Sequence, residues 1–151
     1  QNVNVKIPIT NTKSESSVSL IESLTRKNVK VNVTAMMTID QINSVLPALT
    51  NSPGSYVSVF AGRIADAGYN PLQIMNEVVD KIKGDPQIEL IWASPRELYN
   101  IVQANEIGCD IITATKNILT KLPTIGKDLN LFSLETVKMF YNDALEAGYN
   151  I

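Results

Sequence analysis

Histidine is absent from this 151-residue chain. That absence removes Ser-His-Asp and Cys-His catalysis and most zinc sites, which need an imidazole as base or ligand. Any base or nucleophile must be Lys, Asp, Glu, Tyr, Ser, Thr or the single cysteine, Cys109. One cysteine excludes an internal disulfide framework, and Cys109 lies in an apolar stretch, so a reducing, cytoplasmic setting is expected. Positive charge is not in excess: 13 Lys+Arg face 15 Asp+Glu for a net charge of -2, which is no nucleic-acid footprint. No run of ~18 apolar residues exists, so no membrane span is expected. Gly62 to Gly68 matches neither the Walker nor the dinucleotide glycine spacing, and no cluster of acids reads as a metal site. The chain opens on Gln1 rather than Met and reads as a strand within a few residues, with no signal peptide, basic leader or tag visible. What remains is 44% hydrophobic and 19% charged, which suits a single soluble domain over 1–151 with enough apolar side chains for a core.

The hydrophobic pattern alternates between two periods. From Gln1 to Thr10, Val3, Val5, Ile7 and Ile9 fall on one face and Asn2, Asn4, Lys6 and Pro8 on the other, a strand with one apolar face. Ser14 or Ser16 is placed to cap a helix carrying Val18, Leu20, Ile21 and Leu24. A second strand, Val29 to Met36, repeats the alternation, and Thr38 caps the helix after it. Asn51 to Gly54 is a turn cluster. The third strand, Tyr56 to Ala61, is followed by a glycine-bounded charged loop, 62–68. Asn70-Pro71 then opens a helix. The fourth strand is Ile88 to Ala93, with Ser94-Pro95-Arg96 at its end and a helix through Ile107 closed by Gly108. A short fifth strand, Cys109 to Thr113, precedes one or two helical turns over Lys116 to Leu122. A last helix is predicted from Ser133 towards Ala147, with Phe132 and Val137 as a hydrophobic staple. The order is β-α five times over, which implies an α/β fold with a parallel sheet and right-handed crossovers. An open doubly wound sheet and an arc of a closed barrel both satisfy that order. Central strands of an open sheet should be apolar on both faces. Here Asn4, Lys6, Asn32 and Thr34 give the first two strands a polar face, which favours the barrel, with active-site groups expected at the C-terminal strand ends.

Lys6 is the most informative residue. On an inward face it would lose hydration, its pKa would fall towards neutrality, and the neutral amine could condense with a carbonyl. The alternative is a surface lysine on an edge strand. Arg63 and Arg96 each lie just beyond a strand end, and Arg96 has Ser94 two positions before it; forked donors with a hydroxyl suit a phosphate. The alternative is rim arginines paired with Asp66 or Glu97. Asn32 and Thr34 share the inward face of the second strand and are placed to bond a water or substrate hydroxyl. Phe60 and Trp92 are expected to point inward too, chiefly as core filling.

These motifs together resemble the transaldolase family. Val5-Lys6-Ile7-Pro8-Ile9-Thr10 is similar to its Schiff-base strand, and Val31-Asn32-Val33-Thr34-Ala35 to the next one. Phe60-Ala61-Gly62-Arg63-Ile64 with Asp66 resembles the following strand and its phosphate arginine, and Ala93-Ser94-Pro95-Arg96 resembles an A-S-F-R segment with Pro95 in place of phenylalanine. The resemblance implies a Schiff base on Lys6, a water held by Thr34, and a sugar phosphate bound by Arg63, Ser94 and Arg96. It implies no metal and no organic cofactor. Phe60 stands where transaldolases typically carry phenylalanine and the related fructose-6-phosphate aldolases tyrosine, which favours transfer of a dihydroxyacetone unit over simple cleavage. Family members are (β/α)8 TIM barrels with the lysine on the fourth strand. The chain is thus expected to hold the last five βα units and a C-terminal helix. Three strands bearing an aspartate, a T-T-N-P segment and a glutamate would be missing, which would impair the acid/base step. In small family members the last helix packs on a neighbouring subunit, so a homo-oligomer through Ser133 to Ala147 is expected.

Overall fold

The computed structural model describes residues 3–50 and 52–149. The expected start of the first strand at Gln1 and Asn51 of the turn cluster lie outside them. The chain divides into two units, Gln1–Leu119 and Thr120–Ile151.

The first unit is built of βα repeats: β1 (Val5–Pro8), α1 (Val18–Thr25), β2 (Val31–Met36), α2 (Ile39–Leu49), β3 (Ser55–Val59), α3 (Ala61–Asp66), α4 (Pro71–Ile82), β4 (Ile88–Trp92), α5 (Tyr99–Glu106), β5 (Ile111–Ile112) and α6 (Lys116–Leu119). The five strands form one parallel sheet in the order β1-β2-β3-β4-β5. Each strand pairs only with its neighbours in sequence. A doubly wound sheet reverses its order at a switch point; this one does not, and with its polar face it is consistent with an arc of a barrel.

Alternation separates two faces. Ile7, Ile9, Val31, Val33, Val57, Val59, Ile88, Leu90 and Trp92 are buried in one cluster with Ile21, Ile42, Val45, Leu49, Ile64, Met75, Val78 and Ile82 of the helices. Each fully buried aliphatic side chain contributes roughly 1.5–3 kcal/mol of transfer free energy, so this face fixes the register of every strand. The other face carries Lys6, Asn32, Thr34, Tyr56, Ser58 and Glu89. Strand β2 keeps both faces in place with a bulge. Val33 pairs with Val57 and Met36 with Val59, so one extra residue lies between them. Ala35 takes it up at φ 63°, a left-handed conformation unusual outside glycine. Met36 thereby returns to the buried face.

Helix starts follow the sequence where a cap is present. Thr38 forms a capping box with Gln41, and Asn70 accepts from the Leu72 amide at 3.0 Å with Pro71 at the first helical position; α1 starts from Ser17 with no side-chain cap, so neither Ser14 nor Ser16 is its N-cap, although Ser16 Oγ accepts from the Val18 amide at 3.2 Å. Two further expectations are corrected. Gly62 to Gly68 is not a loop throughout, because Arg63 and Ile64 donate to the Phe60 carbonyl at 2.9 and 3.1 Å and wind α3 directly off β3. The second unit contains a 3-10 turn (Leu122–Thr124) and α7 (Leu129–Glu146), which begins a turn ahead of Ser133. The Asp128 carboxylate accepts from the Leu131 amide at 2.8 Å and is the cap, so Phe132 and Val137 lie within the helix and form no staple.

Candidate active site

The polar face of the sheet supplies the first group of residues. Sheet register puts Lys6 beside Asn32, Asn32 beside Tyr56 and Tyr56 beside Glu89. Partnered residues in a parallel sheet share a face, so these four make one row across it. Ser58, two residues on from Tyr56, donates through Oγ to Asn32 Oδ1 at 2.7 Å and is itself buried. The pair fixes the Asn32 amide group. Thr34 follows on β2 at the bulge, only 6% exposed, and its Oγ1 has no hydrogen-bond partner among the described residues. A buried hydroxyl left unpaired costs about 1–3 kcal/mol, so the position suits a water or a ligand hydroxyl.

The structure decides between the two readings of Lys6 and corrects the placement of Trp92 on this face. Lys6 is exposed, which is the surface reading of the two the sequence leaves open; among the described residues β1 pairs with β2 alone. Trp92 does not share the polar face. It pairs with Val59 and Ile112 and stands two residues beyond Leu90 on a strand without a bulge, which puts it in the core cluster, fully buried.

The second group lies beyond the C-terminal ends of β3 and β4. The Phe60 amide donates to the Met36 carbonyl at 2.9 Å, and the half-buried Phe60 leads straight into α3. There α3 runs against the loop after β4 with no space between. A Cβ on Gly62 would stand 1.5 Å from the Ser94 carbonyl oxygen and 3.3 Å from Arg96 Cγ. Only glycine permits that approach. Ser94 meets it at φ 62°, a conformation that serine rarely adopts. Non-glycine residues held at positive φ cost on the order of 1–3 kcal/mol and collect at functional sites. Here Ala35 and Ser94 both sit on the same rim.

The Gly62 contact brings Arg63, Asp66, Ser94 and Arg96 together. Arg96 grips Asp66 bidentately: Nε donates to Oδ1 at 2.9 Å and to Oδ2 at 3.0 Å, and Nη2 also bonds Oδ2. Its backbone is pinned as well, the Arg96 amide donating to Asn100 Oδ1 at 2.7 Å. The Arg96 hydrogen bonds hold the Asp66 carboxyl below the ordinary aspartate range, opposed by partial desolvation and assisted by the charges of Arg96 and Arg63. Asp66 in turn raises the pKa of Arg96. Arg63 is exposed and borders a cavity of about 430 Å³ lined by Met37, Ile39, Ile64, Tyr69 and Ile74. The pairing of Arg96 with Asp66 was one of the two readings open in the sequence. Ser58 and Asn100 were missed. The first was legible as the polar member of the Tyr56-Ser58-Phe60 alternation, while nothing marked Asn100, whose role depends on the path of the loop.

None of the described helices is long and apolar enough to cross a membrane. The family model described as transaldolase/fructose-6-phosphate aldolase matches residues 1–151. A probable transaldolase of Nitrosopumilus maritimus (strain SCM1) is 32% identical over 144 residues, 91% of this chain and 61% of the relative. One of Caldicellulosiruptor saccharolyticus is 33% identical over 124 residues, 81% of this chain and 54% of the relative. One of Clostridioides difficile (strain 630) is 29% identical over 136 residues, 87% of this chain and 59% of the relative. The chain therefore spans somewhat more than half the length of these curated relatives. With a parallel sheet in barrel order, a polar face bearing Lys6 and Asn32, and an arginine rim beyond its strand ends, the chain belongs to the transaldolase/fructose-6-phosphate aldolase family.

Proposed function

We propose that the chain carries the Schiff-base strand and phosphate rim of a transaldolase. The reaction would transfer a dihydroxyacetone unit from fructose 6-phosphate or sedoheptulose 7-phosphate to an aldose phosphate, as in the pentose phosphate pathway. The observation that carries this reading is the pairing of Lys6 with Asn32 on the polar face, in a sheet whose C-terminal rim presents Arg63, Ser94 and Arg96. In the cycle, the Lys6 amine attacks the ketose carbonyl and water leaves, giving an iminium. Cleavage of the neighbouring carbon-carbon bond releases an aldehyde and leaves a three-carbon enamine. The enamine adds to the acceptor aldehyde, and water returns the ketose product and the free amine. Thr34 would hold the water and Asn32 a substrate hydroxyl. Arg63, Ser94 and Arg96 would bind the phosphate. By the resemblance, an acid/base aspartate and glutamate would precede the lysine strand.

Trapping tests the assignment. The protein is incubated with fructose 6-phosphate and borohydride, then weighed. A reduced three-carbon adduct on Lys6, lost in Lys6→Arg, is expected; no adduct at Lys6 in the complete protein sinks the reading. A second reading is a sugar-phosphate binder without turnover, which would bind phosphate and trap nothing. Cleavage without transfer is the third outcome, and Phe60→Tyr is expected to move the product ratio towards it. As part of the same proposal, 1–151 belongs to one barrel domain. The exposed Leu131, Leu134, Phe140 and Leu145 of α7 support a homo-oligomer formed through that helix.

A further inference from the structure

Asp66 has no place in the cycle above, yet it makes the most extensive side-chain contact on the rim. Resting on the reading of that rim as a phosphate site, we propose that Asp66 is a positioning residue, holding the Arg96 guanidinium so that its remaining donors face the anion. A guanidinium has five N–H donors in a planar fork. Asp66 takes the edge formed by Nε and Nη2. That leaves three donors, two on Nη1 and one on Nη2, and these form the end-on edge that matches two oxygens of a phosphate. Both partners are about half exposed, so an anion can reach that edge. Their spacing is not left to the side chains. Asp66 rides on α3, and α3 abuts the loop of Arg96 through Gly62, whose missing Cβ would lie 3.3 Å from Arg96 Cγ.

The competing role is that of a stand-in anion, occupying Arg96 until phosphate displaces it. The side-on grip argues against this, since an end-on grip would be needed to block the phosphate edge. The two roles make opposite forecasts. If Asp66 only neutralises or competes, Asp66→Asn adds one net positive charge and frees Arg96, and phosphate should bind as well or better. If Asp66 positions, Asp66→Asn frees a long side chain that must be ordered again on binding, and phosphate affinity should fall roughly three- to tenfold.

Inorganic phosphate is the probe, titrated into the protein by NMR at about 0.15 M ionic strength and again at higher salt, where the charge effect is screened and the ordering effect is not. The expected result is weaker binding by Asp66→Asn at both salts, with Asp66→Glu recovering affinity. A second measurement needs no variant. In the parent protein the Arg96 Nε–H signal should remain sharp and protected at saturating phosphate, because the bond to Asp66 persists. Equal or tighter binding by Asp66→Asn overturns the proposal, as does loss of the protected Nε–H signal when phosphate binds. Absence of phosphate binding in the parent protein is a different failure, since it removes the phosphate-site reading itself and the proposal with it.

Discussion

A single missing methyl group organises the rim. Gly62→Ala would drive a Cβ to within 1.5 Å of the Ser94 carbonyl oxygen, and the atom it meets is backbone, which cannot swing aside. The expected cost is ~1–3 kcal/mol or more, read as a lowered urea midpoint, and on the proposed function phosphate binding would be lost as Arg96 moves away from Asp66. The charge on Asp66 makes a separate forecast. Its carboxyl titrates below the ordinary aspartate value, so its pairing with Arg96 contributes stability above that ordinary range, and the contribution is lost as pH falls through the lowered value. Side-chain NMR of Asp66 should give a midpoint below 3.8 in the parent protein and one that rises towards it in Arg96→Gln. At this scale the sequence was readable where chemistry and position coincide. Lys6 stands out as a charge in an alternating apolar strand, and Arg96 stands out beside Ser94 after a strand. The environment of Lys6 was not readable, because exposure depends on which strands flank it and not on its own neighbours in sequence.

Elements obeyed their period except where the backbone broke it. Strand β2 reads as Val-x-Val-x, and simple alternation would put Met36 on the polar face with Thr34; the bulge at Ala35 reverses that. Nothing in Val33-Thr34-Ala35-Met36 announces a left-handed residue, since alanine is not the residue such a position selects. A β-branched side chain cannot share that conformation without strain. Ala35→Val is therefore expected to lower stability by about 1–2 kcal/mol or more, whereas Ala35→Gly should stay near the parent value, both checked by thermal melts. The start of α7 was misplaced for a related reason. Ser133 and Asp128 are both good caps on paper, and the decision falls to the residue whose oxygen reaches an unpaired amide, here that of Leu131.

The whole molecule is decided by strand order. Alternating βα units fit two architectures, and the polar faces chose between them because an open sheet would bury those faces under helices. Helix α7 belongs to the other unit, and no residue along it is buried. Eighteen residues without a buried face make a marginal helix in water. Its amides should exchange with deuterium far faster than those of β2, β3 and β4 in dilute protein, and at least tenfold more slowly once self-association covers it. Slow exchange of α7 in a demonstrated monomer would count against that role for the helix. The sequential pairing of the strands also bears on assembly during synthesis. Domains begin to organise as the chain emerges, and here each new strand finds its partner already in place. The lysine and its asparagine neighbour can meet once β2 is made, while the Asp66–Arg96 pair must wait for the loop beyond β4. The proposed reactive floor and binding rim would thus be completed at different times, and a pause in translation between residues 36 and 96 would leave the first without the second.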